Sequence, residues 1–341
     1  MGARLARDEA NAVLQKWRRL RREQALLPQV PLPQSLRLAG HNAIAQPRLS
    51  SFLSVTVIAA PLACADNLYQ FPNGSAVMSQ QVFFTHANGF PSATYGKLFA
   101  ALAPQYQVAH LELHGHDPRF PVDDNWNNLV DELIHHLEQQ PEPVWGVGHS
   151  LGGVLHLHAA LRCPRLYRGV VMLDSPVLTR TDRWVILAAK RLGFIDRLTP
   201  AGRTLGRREE FADLEAARQY FSGKTLFRGF DPDCFDAYLQ HGLQQVGDHW
   251  RLRFDPATEI SIYRGVPHTS PGRARTLKVP LAVVRGRQSR VVMRHHTRSV
   301  GSMPLGESLS MPGGHMFPLE HPLDTADLLK GLFQRWQGLG A

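Results

Sequence analysis

In the words VWGVGHSLGG, Ser150 stands between Gly148 and Gly152, with an apolar run before it and a helix-patterned apolar run after it. A serine hydroxyl is a weak nucleophile unless a base takes its proton and the backbone presents it to a substrate. The spacing G-x-S-x-G meets the second need, because a strand-to-helix turn tight enough to thrust a serine outward leaves no room for side chains at the flanking positions. The pentapeptide alone also fits an ordinary glycine-rich loop. Its weight comes from the strand VWGV before it and the helical LGGVLHLHAAL after it. Among 17 histidines, His315 in MPGGHMFPLEHP is the best-placed base: it follows the last expected strand, and Gly313 and Gly314 let its loop swing back over a sheet. Acyl chemistry also needs two donors for a developing oxyanion. The backbone N–H of Leu151, at a helix N-terminus, supplies one, and the loop Thr85 to Phe90 after the first strand is placed to supply the other.

The elements that must position these groups alternate. Strands are expected at Gln81 to Thr85, Gln107 to Leu113, Val144 to Val147 and Gly169 to Asp174, with helices at Ala93 to Ala103, Trp126 to Gln139 and Leu151 to Arg162. Short, continuously apolar strands between helices indicate a parallel sheet covered on both faces. The alternation stops near Pro176 and returns with a strand at Val279 to Arg285, a helix near Arg294, a strand near Ser308 to Met311 and a helix from Pro322 to Trp336. The interval reads as a mostly helical insertion, with helices at Asp182 to Leu192, Arg207 to Phe221 and Pro232 to Val246. Its aromatic residues, Trp184, Phe194, Phe221, Phe227, Phe230 and Tyr238, are expected mainly in its own core, with one or two lining an acyl pocket.

The formal charge of +9 is unevenly spread: residues 1–77 carry +5 and the other 264 only +4. That excess is an ordinary solvated surface and argues against nucleic acid as a partner. Three scattered cysteines, Cys64, Cys163 and Cys234, read as buried free thiols and fit a reducing, cytoplasmic setting. Residues 1–77 behave unlike the rest. Ala10 to Leu20 forms a short basic amphipathic helix, and Leu49 to Ala65 is an uncharged segment ending in Ala63-Cys64-Ala65. Three accounts of that segment are open: a signal or anchor, which would make the protein exported or membrane-attached through residues 1–65; a hairpin packed on the domain; or sequence outside a functional protein that starts at Met78. The last is favoured, because an apolar strand follows Met78 directly.

Taken together, HANGFP, GHSLGG and GGHMFPLEHP in that order resemble the α/β-hydrolase superfamily of serine hydrolases, over Gln81 to about Trp336. The resemblance implies an α/β-hydrolase fold, a mostly parallel doubly wound sheet with a helical cap between its sixth and seventh strands. The core would then be residues 78–175 and 278–341 and the cap 176–277. It implies a hydrolase that cleaves an ester-type bond of a small or medium hydrophobic substrate through an acyl-enzyme on Ser150, with no cofactor and no metal. Thioesterase, lactonase and carbon–carbon bond hydrolase use the same machinery, and a non-catalytic binding module is the rival from another class. Asn88, two past the histidine of HANGFP, would give the second oxyanion N–H beside Leu151. One departure stands out. Ser289 occupies the position after the seventh strand where such hydrolases carry their triad acid, and no carboxylate lies between Glu259 and Glu307. Some relatives place the acid after the sixth strand, which points to Asp174 in VVMLDSP as the partner of His315. Glu112, Glu307 and a triad without a carboxylate are the alternatives. His114 and His116 read as loop residues near the site mouth, and His156 and His158 lie two apart on a helix without sharing a face.

Overall fold

Runs such as VFF and VVML are apolar at every position, so strands built from them must be covered on both faces. A computed structural model describes residues 80–103 and 105–338 of the chain. The described residues form nine strands: β1 (Gln80–Thr85), β2 (Tyr106–His110), β3 (Val144–His149), β4 (Tyr167–Leu173), β5 (Glu210–Phe211), β6 (Leu243–Val246), β7 (His249–Leu252), β8 (Leu281–Gly286) and β9 (Gly306–Met311). Six of them make one all-parallel sheet in the order β2-β1-β3-β4-β8-β9. The four inner strands are almost wholly buried, whereas β2 and β9 at the sheet margins are largely half-buried or exposed.

Helices α1 (Gly96–Leu102), α2 (Asn127–Leu137) and α3 (Leu151–Arg162) follow β1, β2 and β3. Between β4 and β8 the chain makes α4 (Arg180–Arg191), α5 (Ile195–Leu198), α6 (Ala201–Thr204), α7 (Leu214–Ser222), α8 (Pro232–Gly242) and α9 (Pro256–Arg264). Side-chain oxygens of Thr179, Asp213, Asp231 and Asp255 cap α4, α7, α8 and α9, and proline occupies the first turn of the last two, so local chemistry sets these boundaries. The insertion is less helical than expected. Strands β5, β7 and β6 pair antiparallel within it, and two predicted helices are shorter for that reason. The helix expected to run to Val246 stops at Gly242, because Val246-Gly247-Asp248-His249 is a two-residue hairpin turn with Gly247 at φ 63°. After β8 comes α10 (Arg294–Gly301), and after β9 come α11 (Phe317–Glu320) and α12 (Pro322–Gly338).

The pleat divides each strand between two cores. Val82, Phe84, Val147, Val171, Leu173, Ala282 and Val284 face α1 and α12, where Leu98, Leu102, Leu329 and Phe333 cover them. Phe83, Val170, Met172, Leu281 and Val283 face α2, α3 and α10, against Leu129, Leu133, Leu155 and Val300. Because β2 lies on one side of β1 and β3 on the other, the chain changes direction across the sheet between β1 and β3. Ligand sites in such sheets lie at that switch point, beyond the carboxyl ends of the strands.

Among the described residues, no helix is long and apolar enough to cross a membrane. The basic helix at Ala10 to Leu20, the Leu49 to Ala65 segment and the start at Met78 lie outside the described residues. Cys234 is a buried free thiol as expected, whereas Cys163 is disulfide-bonded and not free.

Three buried histidines tie the fold to pH. Burial holds His149 and His156 down to about 3 and His158 to about 4, against an ordinary 6.5. An unfolded chain takes up those protons near 6.5, so between these limits the native state is the less protonated one, and its stability falls as pH falls. Each such histidine should cost about 1.4 kcal/mol per pH unit below its ordinary value. Thermal unfolding followed from pH 7 to pH 4 should show Tm dropping throughout; a flat profile would contradict neutral, buried imidazoles.

Candidate active site

Strand β3 ends at His149 and α3 begins at Leu151, leaving Ser150 alone at the turn with φ 53° and ψ −109°. A non-glycine residue there carries strain of about 1–3 kcal/mol, which the surroundings must hold in place. The neighbouring backbone does so. Ser150 N–H donates to the Leu173 carbonyl of β4 at 2.9 Å. A Cβ on Gly148 would overlap the Gly152 carbonyl, one on Gly152 the Thr85 carbonyl, and one on Gly153 the Ser175 hydroxyl. Glycine at these positions is therefore a packing requirement that lets β3, α3 and the end of β1 meet at backbone distance.

His149 pairs with Leu173 in the sheet, so Asp174, one residue on, comes out beside Ser150. Asp174 is fully buried and has φ 45°. Its N–H donates to Val284 O of β8 at 2.8 Å, and its carboxylate collects three donors. Oδ1 accepts the Gly286 N–H at 3.0 Å; Oδ2 accepts the Ser289 hydroxyl and, at 2.7 Å, His315 Nδ1. With Nδ1–H directed at a carboxylate, the neutral His315 ring keeps its lone pair on Nε2, the form a general base requires. The loop bearing His315 is fastened by Glu320, whose Oε2 accepts Gly314 N–H at 2.7 Å, while Gly313 takes φ 93°.

The alternative acids are occupied elsewhere. Glu112 accepts from Ala93 N–H and Arg253, and Glu307 from Trp336 and Arg335. Ser289 is the member that sequence reasoning missed. It stands where the pattern expects an acid, yet its hydroxyl reaches the same carboxylate oxygen as His315.

The Thr85 to Phe90 loop leaves the end of β1 on the other side of Ser150's strand. Asn88 is buried; its side-chain N–H donates to Glu259 O at 3.0 Å, and Gly89 takes φ 82°. The Glu259 carboxylate packs against Gly89 and is held by Arg207 at 2.6 Å, and burial still pushes its pKa above the usual carboxylate range. The loop thus rests on the insertion. Leu151 opens α3, where N–H groups have no helical acceptor and the dipole favours an anion.

His114 is not at a mouth. It is fully buried, bonded through Nδ1 to the equally buried Glu132 at 3.1 Å, and its N–H donates to His86 Nε2. His116 receives the Asp255 N–H at 3.1 Å. His156 lies against Thr85 and Tyr167 in the core. Phe221, Phe227, Phe230 and Tyr238 are buried together as expected, whereas Trp184 stands 69% exposed. Among the described residues one group has metal-ligand chemistry: Asp182, His295 and His296, with candidate ligand atoms within 4.8 Å of one another. His296 Nδ1 accepts the Met293 N–H at 3.1 Å, so its proton sits on Nε2 and goes to Asp182 Oδ2 at 3.2 Å. That nitrogen has no lone pair for a metal, and the group acts as a hydrogen-bonded tie between α4 and α10.

Comparison with known proteins agrees with this architecture. The chain is 27% identical over 181 residues to the type I acyl-CoA thioesterase mpaH' of Penicillium brevicompactum, covering 48% of this chain and 39% of that one. The match thus spans about two fifths of that relative's length. It is 24% identical over 261 residues to the pimeloyl-(acyl-carrier protein) methyl ester esterase of Xanthomonas axonopodis pv. citri, covering 74% of this chain and 92% of that one. The crystal structure of E-2-(acetamidomethylene)succinate hydrolase superposes with a TM-score of 0.60 at 23% identity, over 75% of this chain and 91% of that one. Residues 82–328 match the alpha/beta hydrolase family, and the chain belongs to it.

Proposed function

We propose that the protein is a serine hydrolase that cleaves an ester-type bond by two-step acyl transfer. The observation that carries this reading is the 2.7 Å bond from His315 Nδ1 to Asp174, made at the end of the strand next to the one that presents Ser150. His315 Nε2 takes the Ser150 proton as Oγ attacks the carbonyl carbon, and Asp174 stabilises the imidazolium. The backbone N–H groups of Asn88 and Leu151 receive the negative charge that develops on the carbonyl oxygen. As the tetrahedral intermediate collapses, His315 returns the proton to the leaving group and the acyl group stays on Ser150. Water, deprotonated by His315, then releases the acid and restores the enzyme. No step calls for a cofactor.

Residues 176–277 serve in this reading as the cap over a core of 78–175 and 278–341. Phe90, in the oxyanion loop itself, packs within 5.2–6.2 Å, ring centre to ring centre, of Phe227, Phe230 and Tyr238, which supports a small or medium hydrophobic acyl group. A thioester is the second reading, favoured by the resemblance to an acyl-CoA thioesterase, whereas the resemblance to a methyl ester esterase favours the first. Rates on a panel of p-nitrophenyl esters, acyl-CoA thioesters and lactones separate the two.

A fluorophosphonate probe should label the wild-type protein once, at Ser150, and Ser150→Ala should abolish both labelling and hydrolysis. Absence of labelling in folded protein at saturating probe would leave only a binding module. Asp174→Asn should lower kcat by about 10³–10⁴-fold, since the amide favours the wrong tautomer of His315. Ser289→Ala removes one of three donors and should cost about tenfold. Position 289 reaches the same oxygen, so adding Ser289→Asp to Asp174→Asn should recover about tenfold or more of the lost rate. Full activity in Asp174→Asn would refute the acid's assignment.

A further inference from the structure

Two buried side chains outside the Ser150, His315 and Asp174 set join the three pieces of backbone that carry the reacting groups. Tyr95 lies in the turn before α1, and His149 is the last residue of β3; both are fully buried. The Tyr95 hydroxyl is 2.7 Å from His149 Nδ1, and His149 Nε2 is 2.9 Å from the His315 backbone carbonyl. Ala87 N–H, in the oxyanion loop, donates to the Tyr95 oxygen at a long 3.4 Å.

The direction of every proton in this chain is determined. A carbonyl can only accept, so His149 Nε2 carries the hydrogen. Burial keeps the ring neutral, so Nδ1 must accept, and the Tyr95 proton must point to it. Burial also raises the Tyr95 hydroxyl, so it retains that proton. Its oxygen is left free to take the Ala87 N–H. The order is then Ala87 N–H to Tyr95, Tyr95 O–H to His149, and His149 Nε2–H to His315 C=O. Reversing any one bond would set two lone pairs or two hydrogens against each other.

We propose that Tyr95 and His149 are positioning residues which fix the base, the nucleophile and the oxyanion loop relative to one another through this one-way relay. Ala87 precedes the oxyanion donor Asn88, His149 precedes Ser150, and His315 is the base. Each end of the relay therefore sits within one residue of a reacting group while touching no substrate. The rings of His149 and His315 lie 5.1 Å apart, so a turn of one is felt by the other. Misplacement of reacting atoms by about 1 Å costs on the order of 10²-fold in rate, which sets the scale of the effect.

The inference rests on the proposed role of Ser150, so the test starts from an ester that the wild type hydrolyses and Ser150→Ala does not. Tyr95→Phe and His149→Leu should each lower kcat and the rate of fluorophosphonate labelling by about 10- to 100-fold, with KM within about twofold. The double variant should fall no further than the worse single one, because both cut the same relay. His149→Gln keeps a donor for the His315 carbonyl and His149→Asn does not, so Gln should exceed Asn by about tenfold in kcat; this pair decides if the first two variants do not fold. Wild-type kcat in Tyr95→Phe, strictly additive losses in the double variant, or equal rates for Gln and Asn would overturn the relay and leave the role of Ser150 standing. Hydrolysis that persists in Ser150→Ala would overturn the role of Ser150 instead, and the relay with it.

Discussion

Removing a carboxylate from water costs several kcal/mol unless hydrogen-bond donors meet its oxygens in fixed geometry. Asp174 is buried with three such donors: a backbone N–H, a hydroxyl and an imidazole. They come from three places, Gly286 at the end of β8, Ser289 in the loop beyond it and His315 after β9. For all three to converge, β4, β8 and β9 must be neighbours in register and their loops must turn the same way. The parallel order of the sheet and the site's hydrogen bonding are thus one constraint. An antiparallel strand among these would send one donor to the opposite rim.

How much of this was legible depended on the range of the interactions concerned. VFF, VWGV and VVML state their burial in their own composition, and Gly148 and Gly152 declare a backbone contact before the partner backbone is known. His315 stands out in the sequence because glycines and a preceding strand are local signals. Asp174 could be suggested but not selected, since its rivals Glu112 and Glu307 differ from it only in partners far along the chain. Ser289 shows in the sequence only as a substitution for an acid. That its hydroxyl donates to Asp174, 115 residues away, is a fact of strand order.

The same limit explains the insertion and the buried histidines. Helical spacing continues through Leu243 to Val246, and only the turn at Gly247-Asp248 signals a hairpin, so period alone favoured a longer helix. His114 sits in a segment, LELHGHD, with the polarity of a loop. Its burial depends on Glu132, which α2 brings from 18 residues away. Tyr95 and His149 carry no mark in the sequence at all, because each is defined by what lies at the other end of its hydrogen bonds.

The connection from Ser175 to Thr181, which leads out of the sheet into the insertion, is flanked by two aspartates. Asp174 before it is bonded to Gly286, Ser289 and His315, and Asp182 after it to His295 and His296. All five partners belong to the return leg of the chain, beyond the insertion. The outgoing strap is therefore stapled at both ends to the segment that comes back. Swinging the insertion as a rigid body about its root would have to bend within those few residues or break a bond between Asp174 and the loop that carries His315. The root of the insertion and the anchor of His315 are the same piece of backbone.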